Sequence, residues 1–407
     1  MTPPAASPVR HMLLTLLGLM LVALNLRPAL TSVSPVLRRI GEDLALTTTG
    51  QGVLTTLPVL FLGLAAPLAP LVARRLGMER TVLLAVALLA LSLLARPYLG
   101  VTGLFVGSAT AGACIGVMGV LLPGIVKRDF PNSVSLLTGL YTAVLCFGAS
   151  IAAGATEPLR LLFSNDWRPA LGFWLVPAAI AALVWWSQQG AKHFPKSVSA
   201  PKKSLYRDSL AWQVTIYMGL QSALAYTVFG WLPTILQDRG VDAVTAGLAL
   251  SVSIMVQVIT AIAAPWIASH MRDQRFMIVL VVSLTLLGLA GCIYAPLSLL
   301  WLSAVVLGLG QGGTFSMALT LLAVRARDAD TAARLSGMAQ GVGYTLAAFG
   351  PLLTGVLHDI FHGWQVTGIF LGLIGMVAII AGLGAGRKLY VLDDRNPAAV
   401  AYQNWRR

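Results

Sequence analysis

An arginine lies deep inside the first long apolar stretch of the chain, at a position suited to binding negative charge. The stretch starts near Met12, so Arg27 comes roughly 22 Å along a helix that rises ~1.5 Å per residue. That is past the midplane of a ~30 Å hydrocarbon layer, where an arginine costs at least ~2.5–3.5 kcal/mol. A water-filled pathway that receives an anion would offset this cost. The alternative is that Arg27 reaches the outer interface, or binds carbonyls freed by Pro28, and has no ligand.

Two neighbouring polar residues are candidates for the same site. Thr31 follows Arg27 by one helical turn and Ser34 by two turns, so the three side chains are expected on one helix face. Asn25 lies about 200° round the helix from Arg27. Its amide therefore either joins a neighbouring helix or contributes to the site, and the sequence leaves both alternatives open.

Neutral amides and phenols recur at helical spacing in later apolar stretches. The residues that we assign to a substrate site together with Arg27, Asn25 and Thr31 are Tyr141, Gln221, Gln311, Gln340 and Tyr344. A guanidinium keeps its charge at any working pH and offers five donors. A ring of amides and phenols around it would bind a compact anion or a strongly dipolar molecule. The alternative is that each glutamine only ties helices together.

Acidic groups are missing from the apolar stretches. All 15 acidic residues and all five histidines fall in loops or near the ends of these stretches. Arg27 is therefore expected to be the sole ionisable group at depth, apart from thiols and phenols. No embedded carboxylate or imidazole is available to relay protons or to bind a cation. The sequence predicts no enzyme, catalytic residue, metal site or cofactor.

The composition identifies a membrane protein. Of 407 residues, 57% are hydrophobic and 11% are charged, against about 25% charged in soluble domains. Twelve apolar stretches are each long enough to cross a bilayer as a helix. They cover residues 12–36, 50–72, 80–96, 101–126, 133–156, 168–188, 210–236, 244–268, 276–295, 298–323, 334–357 and 364–386. We therefore predict an all-α membrane protein with twelve transmembrane helices.

The basic residues indicate the orientation. The net charge is +13, and most Lys and Arg lie in alternate loops and at the chain ends, which is typical of a cytoplasmic face. We expect both termini in the cytoplasm and the chain in the plasma (inner) membrane. The expected partners are a small-molecule substrate and the lipid bilayer, without nucleic acid, and the chain is expected to be a monomer. Cys114, Cys146 and Cys292 fall in apolar stretches and are interpreted as small buried hydrophobes.

The chain divides into two similar halves. The longest internal connection is basic, contains Pro195 and Pro201, and separates six stretches from six. We expect an N-terminal six-helix bundle over 1–188, a cytoplasmic linker over 189–209 and a C-terminal bundle with a short tail over 210–407. One constant shift relates residue pairs across the halves: Pro35 and Pro233, Pro67 and Pro265, Arg74 and Arg272, Gly112 and Gly310, Lys127 and Arg325, and Gly139 and Gly337. Such duplication predicts a pseudo-two-fold axis along the membrane normal, with a midplane site between the bundles.

Several motifs resemble those of a known family. The loop Pro70-Leu-Val-Ala-Arg74-Arg75-Leu-Gly77-Met-Glu-Arg80 resembles the G-x-L-a-D-R-x-G-R-R loop of major facilitator superfamily transporters, although Pro70 and Arg74 replace its glycine and aspartate. Within that superfamily, the chain resembles the cyanate-porter family, which includes 2-nitroimidazole exporters. The stretches that carry this resemblance are Asn25-Leu-Arg27-Pro28, Val33-Ser-Pro35, Gly139-Leu-Tyr141, Gly219-Leu-Gln221-Ser222, Trp231-Leu-Pro233 and Gly308-Leu-Gly310-Gln311-Gly312-Gly313.

The resemblance implies an inner-membrane permease for cyanate-like anions or small nitro-heterocycles. Together with the residues, it favours a secondary transporter that works by alternating access, with Arg27 as the main charge determinant. The alternative is an exporter of drugs or neutral amphipaths in which Arg27 is structural. A membrane enzyme or a receptor is disfavoured by the missing acids and by the lack of a large soluble domain.

Overall fold

The computed structural model describes residues 8–188 and 204–393, and nearly all of them are helical. The first bundle contains α1 (Pro8–Asn25), α2 (Pro28–Thr31), α3 (Leu37–Leu44), α4 (Thr48–Ala65), α5 (Ala69–Leu76), α6 (Met78–Tyr98), α7 (Gly100–Asp129), α8 (Val134–Leu162), α9 (Trp167–Gly172) and α10 (Leu175–Trp186). The second contains α11 (Ser209–Asp238), α12 (Ala243–Ser269), α13 (Arg275–Tyr294), α14 (Leu300–Val324), α15 (Ala329–Ala347), α16 (Phe349–Phe361) and α17 (Trp364–Ala385). Most of the expected linker over 189–209 lies outside the described residues.

The helices coincide with the twelve predicted apolar stretches. Ten segments of the described chain are long and apolar enough to cross a membrane. The two remaining segments are α11, with 30 residues, and the consecutive helices α15 and α16. These two segments are more polar, and they carry three of the predicted site residues, Gln221, Gln340 and Tyr344. The lower hydropathy of these two segments thus coincides with the polar side chains that were predicted to line the site.

Aspartate side chains start several helices. Asp208 accepts hydrogen bonds from the backbone N–H groups of Leu210 and Ala211 at the start of α11, and Asp242 accepts one from Thr245 in α12. Asp166 begins α9 in the same way. Each carboxylate satisfies donors that the first turn of a helix leaves free, and its charge is favourable there. These acids therefore have a local structural role at helix ends.

Close helix pairs are built alike in the two bundles. A Cβ on Gly112 or Gly116 of α7 would overlap the backbone of α4, and a Cβ on Gly308 or Gly312 of α14 would overlap the backbone of α12. In both cases two glycines one turn apart let backbones approach closely, as small residues do in membrane helix pairs. The same architectural contact is thus repeated in the second and fourth spans of each bundle.

A tryptophan–aspartate pair is repeated as well. In the first bundle the indole N–H of Trp167, at the start of α9, donates to Asp43 Oδ2 at 3.1 Å. In the second bundle Trp364, at the start of α17, donates to Asp238 Oδ2 at 3.0 Å. Each bundle therefore joins the end of its first span to the start of its sixth with the same chemistry, as expected for a duplicated unit.

Polar contacts join the two bundles at one end. Thr15 donates to Gln188 at 2.7 Å, so the start and end of the first bundle lie together on what we call the terminal face. On the opposite face, the far face, Arg38 Nη1 lies 3.5 Å from Asp238 Oδ1. Asp359 of α16 also accepts the backbone N–H groups of Thr48 and Thr49, at 3.1 and 2.6 Å, from the start of α4.

Two further polar contacts join the bundles at or near the far face. Ser150 of α8 and Ser251 of α12 approach within 2.8 Å through their hydroxyl groups. Gln237 donates to the Pro35 carbonyl at 3.3 Å. A crevice between the bundles is lined by Thr55, Tyr226 and Phe229 among others. The polar contacts hold the bundles together at and near the far face.

Replacing Asp359 with alanine should weaken far-face closure, because the start of α4 loses a carboxylate supplied by the other bundle. The expected cost is about 1–2 kcal/mol, as for other helix N-terminal partners. With the native cysteines replaced and Thr55→Cys introduced, a maleimide added at the far face should label the thiol about fivefold to thirtyfold faster.

Asp166→Ala is the matched control, because Asp166 caps a helix within one bundle. Its labelling rate should stay close to that of the parent protein. Equal acceleration in both variants would mean that general loosening, and not separation of the bundles, exposes Thr55→Cys.

Candidate functional site

The first span is broken at Arg27. Helix α1 ends at Asn25, the chain turns through Leu26 and Arg27, and α2 begins at Pro28. Proline has no N–H to donate to the preceding turn, and its ring crowds the carbonyl of that turn, so the sequence itself predicts the break. The Arg27 carbonyl accepts the N–H groups of Leu30 and Thr31 at 2.9 and 3.1 Å. The break therefore places the arginine side chain at a turn between two helical segments.

The Arg27 side chain points between the bundles. Its guanidinium carbon lies 5.4 Å from the ring centroid of Phe229 on α11 and 5.5 Å from that of Phe315 on α14. Its Nη1 lies 4.0 Å from Cys146 Sγ on α8. Cations are attracted to aromatic faces at these distances. Because its contacts come from both bundles, the half-buried guanidinium lies at the centre of the protein and not against lipid.

Three tyrosines complete an aromatic cage, which we define as Tyr141, Tyr226, Phe229, Phe315 and Tyr344. The Tyr226 ring packs edge-to-face on Phe229 and on Tyr344, each at a centroid distance of 6.0 Å. Tyr141, Tyr226 and Tyr344 all lie within electrostatic range of Arg27. The predicted residues Arg27, Tyr141 and Tyr344 are thus brought together, and Phe229 and Phe315 join them.

The two central glutamines are deeply buried in the second bundle. Gln221 donates to the Met218 carbonyl at 3.1 Å and to Ser222 Oγ at 2.7 Å, while its Oε1 has no partner among the described residues. Gln311 Oε1 accepts from Gln257 Nε2 at 3.2 Å, and its own Nε2 is unpartnered there. Buried amide atoms are normally satisfied. One free acceptor and one free donor are therefore available in this region for a polar molecule or water.

The other predicted site residues make contacts within their own bundle. Gln340 Nε2 donates to Ser336 Oγ at 2.7 Å. Asn25 Nδ2 donates to the carbonyls of Leu21, at 2.8 Å, and Pro177 of α10, at 3.1 Å. Thr31 is fully buried and donates to the Ala149 carbonyl of α8 at 2.9 Å. As expected from their spacing, Arg27 and Thr31 both contact α8, and the backbone N–H and the hydroxyl group of Thr31 donate to the Arg27 carbonyl.

A buried arginine close to the break was missed by the sequence reasoning. Arg96 lies in α6, is 1% exposed, and donates through Nη1 to the Ala29 carbonyl at 2.9 Å. The expectation that Arg27 is the sole ionisable group at depth, apart from thiols and phenols, is therefore wrong. Arg96 falls next to Pro97 at the end of an apolar stretch, which made it look like an interfacial residue. The signal was available, because α6 continues to Tyr98.

The fold and site together define a class of protein. Two six-helix bundles with repeated internal contacts face each other across a central, half-buried guanidinium, and polar contacts join the bundles at the far face. This is the architecture of a secondary transporter with its binding site at the bundle interface.

The chain belongs to the Major Facilitator Superfamily, whose family model matches residues 14–348. It is 37% identical over 390 residues to the 2-nitroimidazole transporter of Escherichia coli (strain K12), covering 93% of this chain and 96% of that one. It is 36% identical over 381 residues to the uncharacterized transporter YycB of Bacillus subtilis (strain 168), covering 93% and 94%. It is 30% identical over 370 residues to the cyanate transport protein CynX of Escherichia coli (strain K12), covering 88% and 95%.

Solved structures have the same fold. The xylose transporter XylE from Escherichia coli superposes with a TM-score of 0.75 at 11% identity, covering 96% of this chain and 99% of that one. The nucleoside transporter NupG gives a TM-score of 0.74 at 14% identity, covering 91% and 100%. The predicted family and the twelve-helix, two-bundle fold are thereby confirmed, and the chain is a membrane transporter.

Replacing Asn25 with alanine should lower stability and leave substrate affinity unchanged, because its amide nitrogen binds the carbonyls of Leu21 and Pro177. The loss of a typical intramolecular hydrogen bond costs about 0.5–1.5 kcal/mol. The melting temperature of purified protein measures the first effect, and uptake of 2-nitroimidazole and cyanate into proteoliposomes, used as trial solutes, measures the second. A large rise in half-saturation at unchanged melting temperature would instead make Asn25 a ligand.

Proposed function

We propose that this transporter carries a small anion or a strongly dipolar planar solute, such as a cyanate-like anion or a nitroimidazole-like compound, with Arg27 as its main binding group. The observation that supports this is the Arg27 guanidinium held between Phe229 and Phe315 at the bundle interface. The names of two relatives, a 2-nitroimidazole transporter and a cyanate transport protein, agree with this chemistry.

The surroundings of the guanidinium favour a ligand at its edge. Two aromatic rings lie near the cation, and aromatic faces attract it without neutralising its charge. Its N–H groups are arranged as a fork that matches two acceptor oxygens, such as those of a nitro group or carboxylate. Neutral partners leave Arg27 positive, so an incoming anion or dipole gains a charge-assisted interaction in a low-dielectric site.

The aromatic cage gives the site a preference for flat molecules. Tyr226, Tyr344 and Phe229 already pack edge-to-face, and Tyr141 lies on the first-bundle side of Arg27. A planar ring can stack on such side chains, with aromatic contacts of about 0.5–1.5 kcal/mol each. The proposed ligand set is Arg27, Tyr141, Gln221, Gln311, Gln340 and Tyr344, with Asn25 and Thr31 supporting them.

The proposed setting is a monomer in the plasma (inner) membrane with both termini in the cytoplasm. The bundles over 1–188 and 210–407, joined by a cytoplasmic linker over 189–209, rock about the Arg27 site in this mechanism. With the far face held by Arg38–Asp238 and Asp359–α4 contacts, solute would reach Arg27 from the cytoplasmic, terminal face.

Replacing Arg27 with alanine should abolish transport while the protein still inserts, because the site loses its positive charge and its fork of N–H donors. The rate at low substrate should fall about 30-fold or more. Arg27→Lys should also be weak, since a point charge cannot reproduce the fork of the guanidinium. Uptake of labelled 2-nitroimidazole and cyanate into proteoliposomes measures the loss.

Arg39→Ala is the matched control, because Arg39 is an exposed arginine of the same span that pairs with Glu42. It should transport at the parent rate. Normal transport of both solutes by correctly inserted Arg27→Ala would refute the proposal and favour an exporter of neutral amphipaths in which Arg27 is structural.

Substitutions of Tyr141 should separate the two solute classes. Tyr141→Phe keeps the ring and should preserve 2-nitroimidazole affinity, whereas Tyr141→Leu should weaken it about fivefold through lost stacking. Cyanate has no ring to stack, so the hydroxyl group matters more and Tyr141→Phe and Tyr141→Leu should weaken its transport equally. Half-saturation concentrations for both solutes test this, and an equal response of 2-nitroimidazole to both variants would contradict a stacking role.

A further inference from the structure

We propose that Arg96 is a positioning residue that fixes the break in the first span and thereby holds Arg27 in the substrate site. This inference rests on the proposed function, because it assigns Arg96 a role through Arg27. Arg96 belongs to α6 and Arg27 to the turn before α2, so the link joins the third span to the first. The contact is the hydrogen bond from Arg96 Nη1 to the Ala29 carbonyl, two residues after Arg27.

The Ala29 carbonyl is an acceptor that the break leaves free. In a continuous helix it would accept the N–H of Val33, but the short helix α2 ends at Thr31 and the chain bends before a 3₁₀ turn at Ser34–Val36. The preceding helical hydrogen bond, from the Ser32 N–H to the Pro28 carbonyl, is still formed at 2.9 Å. A buried carbonyl without a partner is costly, and a cationic donor is among its strongest partners. Arg96 therefore stabilises the broken conformation specifically.

The burial of Arg96 argues for a dedicated contact. The side chain is 1% exposed, and its Nε and Nη2 atoms have no partner among the described residues. Among the described residues, Arg96 donates one hydrogen bond, to the Ala29 carbonyl, and makes no ion pair. A buried cation with so little compensation is expensive to keep. An apolar residue would pack at this position without the cost of burying a charge. The hydrogen bond to the Ala29 carbonyl is therefore the feature that accounts for an arginine here.

The path of the Arg96 side chain depends on a glycine of the neighbouring helix. A Cβ added to Gly107 of α7 would lie 2.5 Å from Arg96 Cγ and 3.0 Å from the Ser92 carbonyl. Glycine thus leaves the space through which the side chain reaches Ala29. Gly107→Ala should displace the Arg96 side chain while keeping its charge, which provides a second, independent way to break the contact.

Hydrogen exchange of the full-length protein in lipid nanodiscs tests the positioning without a ligand. Arg96→Met should speed the exchange of amides within residues 24–34 about tenfold, because a hydrogen bond to a charged donor is lost. Arg96→Lys should restore slow exchange, since a single ammonium donor is enough for a single carbonyl acceptor. Ser92→Ala, one turn away on α6, is the control and should leave exchange in 24–34 unchanged.

Transport kinetics test the functional consequence. In proteoliposomes with labelled 2-nitroimidazole, Arg96→Met should raise the half-saturation concentration about tenfold with the saturated rate within about twofold. In the Arg27→Ala background, the same substitution should not lower the residual rate at low substrate any further, because Arg96 acts through Arg27. Arg96→Lys should rescue affinity, in contrast to Arg27→Lys.

The outcomes separate this inference from the proposed function. Unchanged exchange in Arg96→Met, or equal acceleration in Arg96→Lys, would overturn the positioning role whatever the solute is. Faster exchange in both Arg96→Met and Gly107→Ala, with Arg96→Lys slow, would support it. Loss of transport in Arg27→Ala together with parent affinity in Arg96→Met would overturn the inference alone. Normal transport in Arg27→Ala would instead overturn the proposed function.

Discussion

The structure depends on how it compensates positive charge in a low-dielectric interior. Two arginines lie beside the break at Pro28, and neither makes an ion pair within the described residues. Arg27 is stabilised by aromatic faces from the second bundle, and Arg96 by a carbonyl that the break itself releases. Both partners stabilise a cation without cancelling its charge. A neighbouring carboxylate would make either arginine easier to bury, and it would also remove the attraction for an anionic or dipolar solute.

The duplicated architecture supplies a symmetric scaffold around an asymmetric site. Glycine pairs in α7 and α14 and tryptophan–aspartate pairs at the far face repeat between the bundles. The site does not repeat. The first bundle contributes the cation and Tyr141, whereas the second contributes four of the five rings of the aromatic cage and the two buried glutamines. Charge and ring thus come from opposite bundles, so the relative position of the bundles determines the environment of Arg27.

The sequence predicted the fold well because the bilayer restricts a spanning backbone to a few solutions. Twelve apolar stretches and repeated Gly and Pro positions were sufficient to predict the two bundles. The helices α4 to α17 coincide with the predicted stretches. The sequence also placed Arg27, Tyr141 and Tyr344 near one another. It was less informative at the break in the first span. Thr31 was assigned to the face of Arg27, and both side chains do contact α8, but the Thr31 hydroxyl group is buried against the Ala149 carbonyl. Arg96 was missed because the partner that explains it, a freed carbonyl, is created by the same break.

The division of the site between bundles links charge compensation to motion. In the present arrangement the far face is held by Arg38–Asp238 and by Asp359 at the start of α4, while Phe229 and Phe315 remain near Arg27. Any movement that separates the bundles at this level takes those rings away from the guanidinium and raises its energy, unless an anion, a dipole or water replaces them. A solute that binds Arg27 through its N–H edge would reduce that cost. A ligand shifts a conformational equilibrium only by its difference in affinity for the two conformations. Here the rings that stabilise Arg27 come from the other bundle, so a solute gains more from binding Arg27 when the bundles have separated.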